Sequence, residues 1–203
     1  EVIASNGLHK LGGDDFDKAL INIVEKKFNE KFDKKFESEK HYTLNDAEGD
    51  KIILSNVEKT IASQNAIEGE IFNITRTEFE EEISTLIAQI ELLCESVLNE
   101  ADLKNNDIDG VFLAGGSTRI PSVTNSVEKV FNQKPIQTEN VDEIVALGAS
   151  LYSAFKGDSE HLTAAQEASI SKLDVQDVTS DYFGTIAIRV NDNTNSEERF
   201  VDV

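Results

Sequence analysis

Residues 110–121 constrain the fold more than any other part of the chain. A short apolar run, Gly-Val-Phe-Leu-Ala, ends on Gly115-Gly116 and passes through Ser117-Thr118-Arg119-Ile120 to Pro121. The run has the length of a strand and predicts a fully buried one. Proline suits the first position of a helix. Strand, glycine turn and helix in succession predict an α/β chain. The glycines also have a chemical reading, because without a Cβ the backbone can lie close against a ligand. The helix start offers unpaired N–H groups, and the planar guanidinium of Arg119 can lie on a flat ring. The segment suits a nucleotide lying across a sheet edge, although a plain tight turn would use the same glycines.

The flanking sequence supplies helices and short strands. Residues 1–5 (EVIAS) read as a strand. Leu11-Gly12-Gly13-Asp14-Asp15 is a turn with helix-capping residues. Phe16, Leu20, Val24, Phe28, Phe32 and Phe36 then recur every four residues and predict one long helix. A weaker helix is predicted over 46–63 with Ile52, Ile53, Val57 and Ile61 as its stripe, and a strand over 66–74. Thr75 and Glu78 form a capping box. It opens a helix carrying Phe79, Ile83, Leu86, Ile87, Ile90, Leu93 and Val97 to about Glu100. Another helix is predicted over 141–155. Residues 157–171 are polar and read as a linker. Residues 185–190 and 199–203 read as a hairpin around an Asn-rich loop.

Charge narrows the partners. Lys and Arg total 19 against 39 Asp and Glu, a net charge of −20. Such a surface repels a phosphate backbone, so no nucleic-acid partner is expected. No stretch of about 18 apolar residues predicts a membrane span. Cys94 is the one cysteine, which rules out an internal disulfide and predicts a structural thiol in a reducing, cytoplasmic setting. His9, His41 and His161 have no metal-ligand spacing, and no metal site is expected.

The run Gly115-Gly116-Ser117-Thr118-Arg119-Ile120-Pro121 resembles the adenosine motif of the 70-kilodalton heat-shock chaperones, the DnaK family. Four further landmarks agree in order and spacing. They are His9 to Asp17 (HKLGGDDFD), Ile74-Thr75-Arg76 with Phe79-Glu80, Asn140 to Glu143 with Val145 to Ala149 (VALGA), and Asp177-Val178-Thr179 before Gly184. The resemblance implies an actin-like ATPase fold, of which residues 1–157 would be the second lobe. That lobe would be a five-stranded mixed sheet with helices, and a smaller α/β subdomain would be inserted at about 12–83. Residues 158–176 would be the linker, and 177–203 the start of the substrate-binding domain.

By the same resemblance, Gly115, Gly116, Ser117 and Arg119 would hold the adenosine of ATP or ADP, with Ile120 bordering the ring and Asp142 close by. A helix crossing the adenine would bring Lys59 where the family has arginine, and Ser55, Glu58 and Ala62 where it has Glu, Lys and Ser. The implied function is an ATP-dependent molecular chaperone that controls peptide binding and release. Its partners would be unfolded polypeptide clients, a J-domain co-chaperone and a nucleotide exchange factor. The departures at Ser55, Glu58, Lys59 and Ala62 leave open a non-hydrolysing co-chaperone or regulator on the same fold. No phosphate loop or catalytic lysine is recognisable, so catalytic residues and most of the magnesium site would lie in the rest of the parent, and this chain alone would be inactive. The family's strand order, 3-2-1-4-5, would leave residues 1–5 and 111–114 separated by a gap. The hairpin of 185–190 and 199–203 is expected to fill it, within one chain or by swapping into a dimer.

Overall fold

A computed structural model describes residues 2–8, 10–137, 141–157, 162–163 and 168. The predicted linker falls almost wholly outside them, and so, entirely, do the predicted hairpin and the start of a substrate-binding domain. Strand exchange between two copies therefore also lies outside the described residues.

The helix α1 (Gly13–Lys31) starts where the Gly12 N–H donates to Asp15 Oδ2 at 3.1 Å, with Asp14 and Asp15 in its first turn. Acidic groups there complement the helix dipole. Its buried face is Phe16, Leu20, Ile23, Val24 and Phe28. The predicted continuation to Phe36 is corrected, for Phe32 is already extended (φ −123°, ψ 136°). A strict four-residue spacing gains about 40° per step on a helix of 3.6 residues per turn, so Phe36 would point away from Phe16. The chain instead folds back, and Phe36 meets the Phe28 ring edge-on at 5.4 Å. After a one-turn helix α2 (Ser38–His41), His41 stacks on Phe28 at 4.7 Å.

Thr43 caps the next helix, α3 (Leu44–Asn56), in a reciprocal box with Asp46. The predicted helix over 46–63 is therefore two residues late and seven too long. The buried stripe is Ala47, Asp50 and Leu54, and Ile52 is exposed. After Asn56 the chain carries β-branched Val57, Thr60 and Ile61, which suit a strand. β1 (Lys59–Ile61) pairs antiparallel with β2 (Asn73–Thr75), Thr60 opposite Ile74. The predicted strand over 66–74 is mostly turn. Ile67 and Glu70 exchange backbone hydrogen bonds around Glu68 (φ 51°) and Gly69 (φ 84°), the paired positive φ values of a two-residue hairpin turn. The Thr75–Glu78 box opens α4 (Arg76–Glu82) as expected. The run to Glu100 is broken at Ile83, so it comprises α4 and α5 (Ser84–Glu100).

Beyond α5, β3 (Phe112–Leu113) lies parallel to β4 (Ile136–Gln137). Between them, α6 (Pro121–Phe131) starts on its proline and packs against α5. It ends at Asn132 in the left-handed conformation (φ 51°). α7 (Ile144–Lys156) follows, with no buried residue. Three expectations are corrected here. β3 is not fully buried, since Phe112 is 69% exposed. Residues 2–5 form no strand, because a strand exists only by pairing and no described strand lies beside them. Among the described residues there are two two-stranded sheets rather than one of five. The chain is a mixture of helices and few short strands, with its core beneath α1, α3 and α4.

Candidate functional site

A cavity of about 900 Å³ opens between α3 and the turn Gly116–Arg119. That volume suits a small organic ligand. The turn is built by backbone geometry. Gly115 has φ 92° and ψ 151°, a conformation that side-chain-bearing residues rarely adopt. Its N–H donates to Val141 O at 2.8 Å, and its carbonyl accepts from the Thr118 N–H (3.1 Å) and hydroxyl (2.7 Å). These bonds bring the residues before α7 against the turn. A Cβ on Gly116 would sit 3.1 Å from Asp142 Oδ1, so glycine is what allows this approach. Asp142 Oδ2 in turn accepts from Arg119 Nη2 at 2.7 Å. An edge-bonded guanidinium keeps both of its faces open.

The opposite wall is one face of α3, where Glu48, Lys51, Ile52, Ser55 and Asn56 recur at helical spacing. Ser55 and Asn56 tie their side chains to the Lys51 and Ile52 carbonyls, each at 2.9 Å. Gly13 of α1 completes the wall. Lys51 Nζ lies 2.8 Å from Asp17 Oδ1 and 3.3 Å from Gly13 O. Asp17 is 5% exposed. Burial pushes its carboxyl above the usual carboxylate range, and the Lys51 ammonium opposes that rise.

Of the residues singled out in the sequence, Gly116, Ser117, Arg119, Ile120 and Asp142 come together on the cavity, as does Ser55. Gly115 lines a smaller neighbouring cavity of about 270 Å³ with Gly116 and Ser117. Glu58 and Lys59 do not reach the large cavity, and their placement on a helix is corrected. The helix stops at Asn56, so Lys59 begins β1 and is exposed. Glu58 pairs with Arg76 at 2.7 Å on the outside, and Ala62 is buried in the core. The sequence reading missed Glu48, Lys51 and Ile52. The signal was present in Thr43-x-x-Asp46, a box that starts the helix earlier and turns these three to one side.

A second polar cluster lies deeper. Asp50 is 1% exposed and accepts from Tyr42 Oη (2.8 Å), Thr60 Oγ1 (3.3 Å) and the Ser63 N–H (2.9 Å). It joins α3 to β1 and does not line the cavity of about 900 Å³. Cys94 is partly buried, and burial pushes its thiol up, helped by Glu91 and Glu95. That is the setting of a resting thiol rather than a nucleophile. Among the described residues no group of His, Cys, Asp and Glu could hold a metal ion. None of their helices is long and apolar enough to cross a membrane.

The chain matches the model of the family described as Hsp70 protein over residues 1–194. It is 37% identical over 164 residues to the chaperone protein dnaK of Cyanidium caldarium, covering 76% of this chain and 26% of that protein. It is 39% identical over 164 residues to that of Trieres chinensis, covering 74% and 26%. To that of Prochlorococcus marinus (strain MIT 9515) it is 36% identical over 161 residues, covering 74% and 25%. The chain thus spans about a quarter of the length of the curated relatives it matches.

Proposed function

The chain belongs to the Hsp70 protein family, and we propose that it is the adenosine-holding lobe of an ATP-dependent molecular chaperone with the actin-like ATPase fold. The lobe would be the second of that ATPase, residues 1–157, with 12–83 as its inserted subdomain. The observation that carries the reading is the Gly115–Arg119 turn facing α3 across a cavity of about 900 Å³. Arg119, held edge-on by Asp142, lays a face on the adenine. Ile52 and Ile120 add apolar surface, and Gly116 admits the ligand close to the backbone. Lys51, Ser117 and Gly13 lie within a few ångströms of one another, since a Cβ on Gly13 would stand 3.3 Å from Lys51 Nζ and 3.8 Å from Ser117 Oγ. That polar end takes the sugar.

In the longer protein, ATP would close two lobes on each other and lower the affinity for unfolded clients. A J-domain co-chaperone and an exchange factor would act on the cycle, in the cytoplasm. Phosphoryl transfer needs preorganised charge and an aligned water, and we assign these, with the magnesium, to the rest of that protein. Of the substitutions that suggested a non-hydrolysing regulator, Ser55 lines the cavity while Glu58, Lys59 and Ala62 do not, and the Gly115–Arg119 turn favours the ATP-dependent reading.

Calorimetric titration of the chain with ADP and ATP tests the reading. Arg119→Ala should weaken binding by about 1–2 kcal/mol, the scale of a cation–π contact. Unchanged affinity would leave the turn as a tight turn only.

A further inference from the structure

The cavity wall holds an ion pair that the contacts proposed for adenine do not use. Asp17 is 5% exposed and the Lys51 side chain 11%. A buried ion pair is a poor device for stability alone, because well-packed apolar residues of the same volume do as well or better. Packing α1 on α3 therefore does not explain why charge is kept here. The geometry around the ammonium does. Lysine carries three donors on a flexible four-carbon stem. Gly13 O accepts from one of them at 3.3 Å, and Asp17 Oδ1 stands 2.8 Å from the nitrogen as an ion pair without the alignment of a hydrogen bond. Lys51 lines the cavity, so its ammonium keeps donor capacity for an oxygen that enters it. Gly13 also leaves the room, since a Cβ there would crowd Nζ at 3.3 Å.

We propose that Asp17 is a positioning residue that holds the Lys51 ammonium ready to donate to an oxygen of the nucleotide's sugar–phosphate portion. The inference rests on the adenosine reading. Asp17 does not touch the ligand and acts through Lys51. Without it, the ammonium is free to swing towards solvent, and ordering it again is charged against the affinity.

The test is titration of the 203-residue chain and its variants with adenosine, ADP and 2′,3′-dideoxyadenosine, with folding followed by circular dichroism. Asp17→Asn should weaken ADP by about tenfold, the worth of one hydrogen bond to a charged group, and adenosine as well if the oxygen belongs to the sugar. Lys51→Met should do the same, and the double variant should bind no worse than Lys51→Met. Asp17→Glu should recover part of the loss. If the oxygen is a sugar hydroxyl, the loss vanishes with dideoxyadenosine. If it is a phosphate oxygen, the loss appears with ADP alone. An equal loss on all three ligands, or a further loss in the Lys51→Met background, would make Asp17 a purely structural group and overturn the proposal. So would an unchanged Asp17→Asn. Should Asp17→Asn unfold, the double variant leaves no unpaired buried charge and is compared with Lys51→Met directly. If the unmodified chain binds none of the ligands, the adenosine reading fails first and this inference falls with it.

Discussion

The two halves of the described chain are built differently. From Phe16 to Ile83 the apolar side chains close on one another. The core cluster draws all its fully buried members from there except Ile120 and Val123. From β3 to α7 the apolar side chains mostly face outward. Phe112 is 69% exposed, Val145 72% and Leu151 54%, and α7 buries nothing. Both halves are rich in apolar residues, so composition does not separate them. What separates them is whether the partners of each face lie within the described residues. The first half carries its own partners. The second presents a helix and a sheet face whose apolar surface packing would have to cover. The candidate site sits on the seam, with α3 supplied by the closed half and Gly115 to Asp142 by the open one.

The widest separation between the halves should come from truncating one apolar side chain in each. Phe28 is fully buried and touches Phe32, Phe36, Phe72 and His41. Phe28→Ala should cost about 3–5 kcal/mol. Leu151→Ala, on exposed α7, should stay within about 0.5 kcal/mol. Urea denaturation of both variants measures the difference, and equal costs would erase the distinction. Gly115→Ala comes next, at about 1–3 kcal/mol, because alanine must be forced into φ 92°. A stability change within error would mean that the turn relaxes freely.

A pH series sharpens the closed half. Burial raises the Asp50 carboxyl above its ordinary 3.8, against the donors of Tyr42, Ser63 and Thr60. A raised carboxyl binds its proton more readily in the folded chain. Its contribution is then fully present below about pH 3.8 and is lost as pH rises through the folded value. Asp50→Asn should accordingly flatten the fall in stability above pH 3.8, read as urea midpoints. An unchanged slope would place the titration elsewhere. The smallest effect expected is a gain. Gly49 lies inside α3 with nothing within 4 Å of an added Cβ. Gly49→Ala should stabilise by about 0.5–1 kcal/mol, seen as a higher melting temperature.

Several signals that act within one turn of chain were legible, although the Thr43–Asp46 box was not read. The Thr75–Glu78 box, the proline start of α6 and the glycine turn at Gly115 each work through bonds or φ values a few residues apart. The strand, glycine turn and helix order of residues 110–121 was legible for the same reason, and the family was legible from landmarks spread along the chain. Element ends were less so. Phe32 and Phe36 continue the spacing of α1, yet they leave the helix because a ring cluster with Phe28 and His41 draws the chain back. Ile52 and Val57 carry an apolar stripe, yet Asp50 faces the core instead because Tyr42, Thr60 and Ser63 supply its hydrogen bonds.

By itself the sequence determined the Gly115 turn, the starts of α1, α4 and α6, and membership of the Hsp70 family. Only the tertiary structure decided that α3 stops at Asn56, that Lys51 rather than Lys59 reaches the cavity, and that Asp17 pairs with it. The reason is range. A cap satisfies N–H groups three residues away, whereas a buried charge is tolerable only if its partner arrives from another element. Asp17 and Lys51 lie 34 positions apart in the chain and 2.8 Å apart in space, and nothing local to either residue encodes the other.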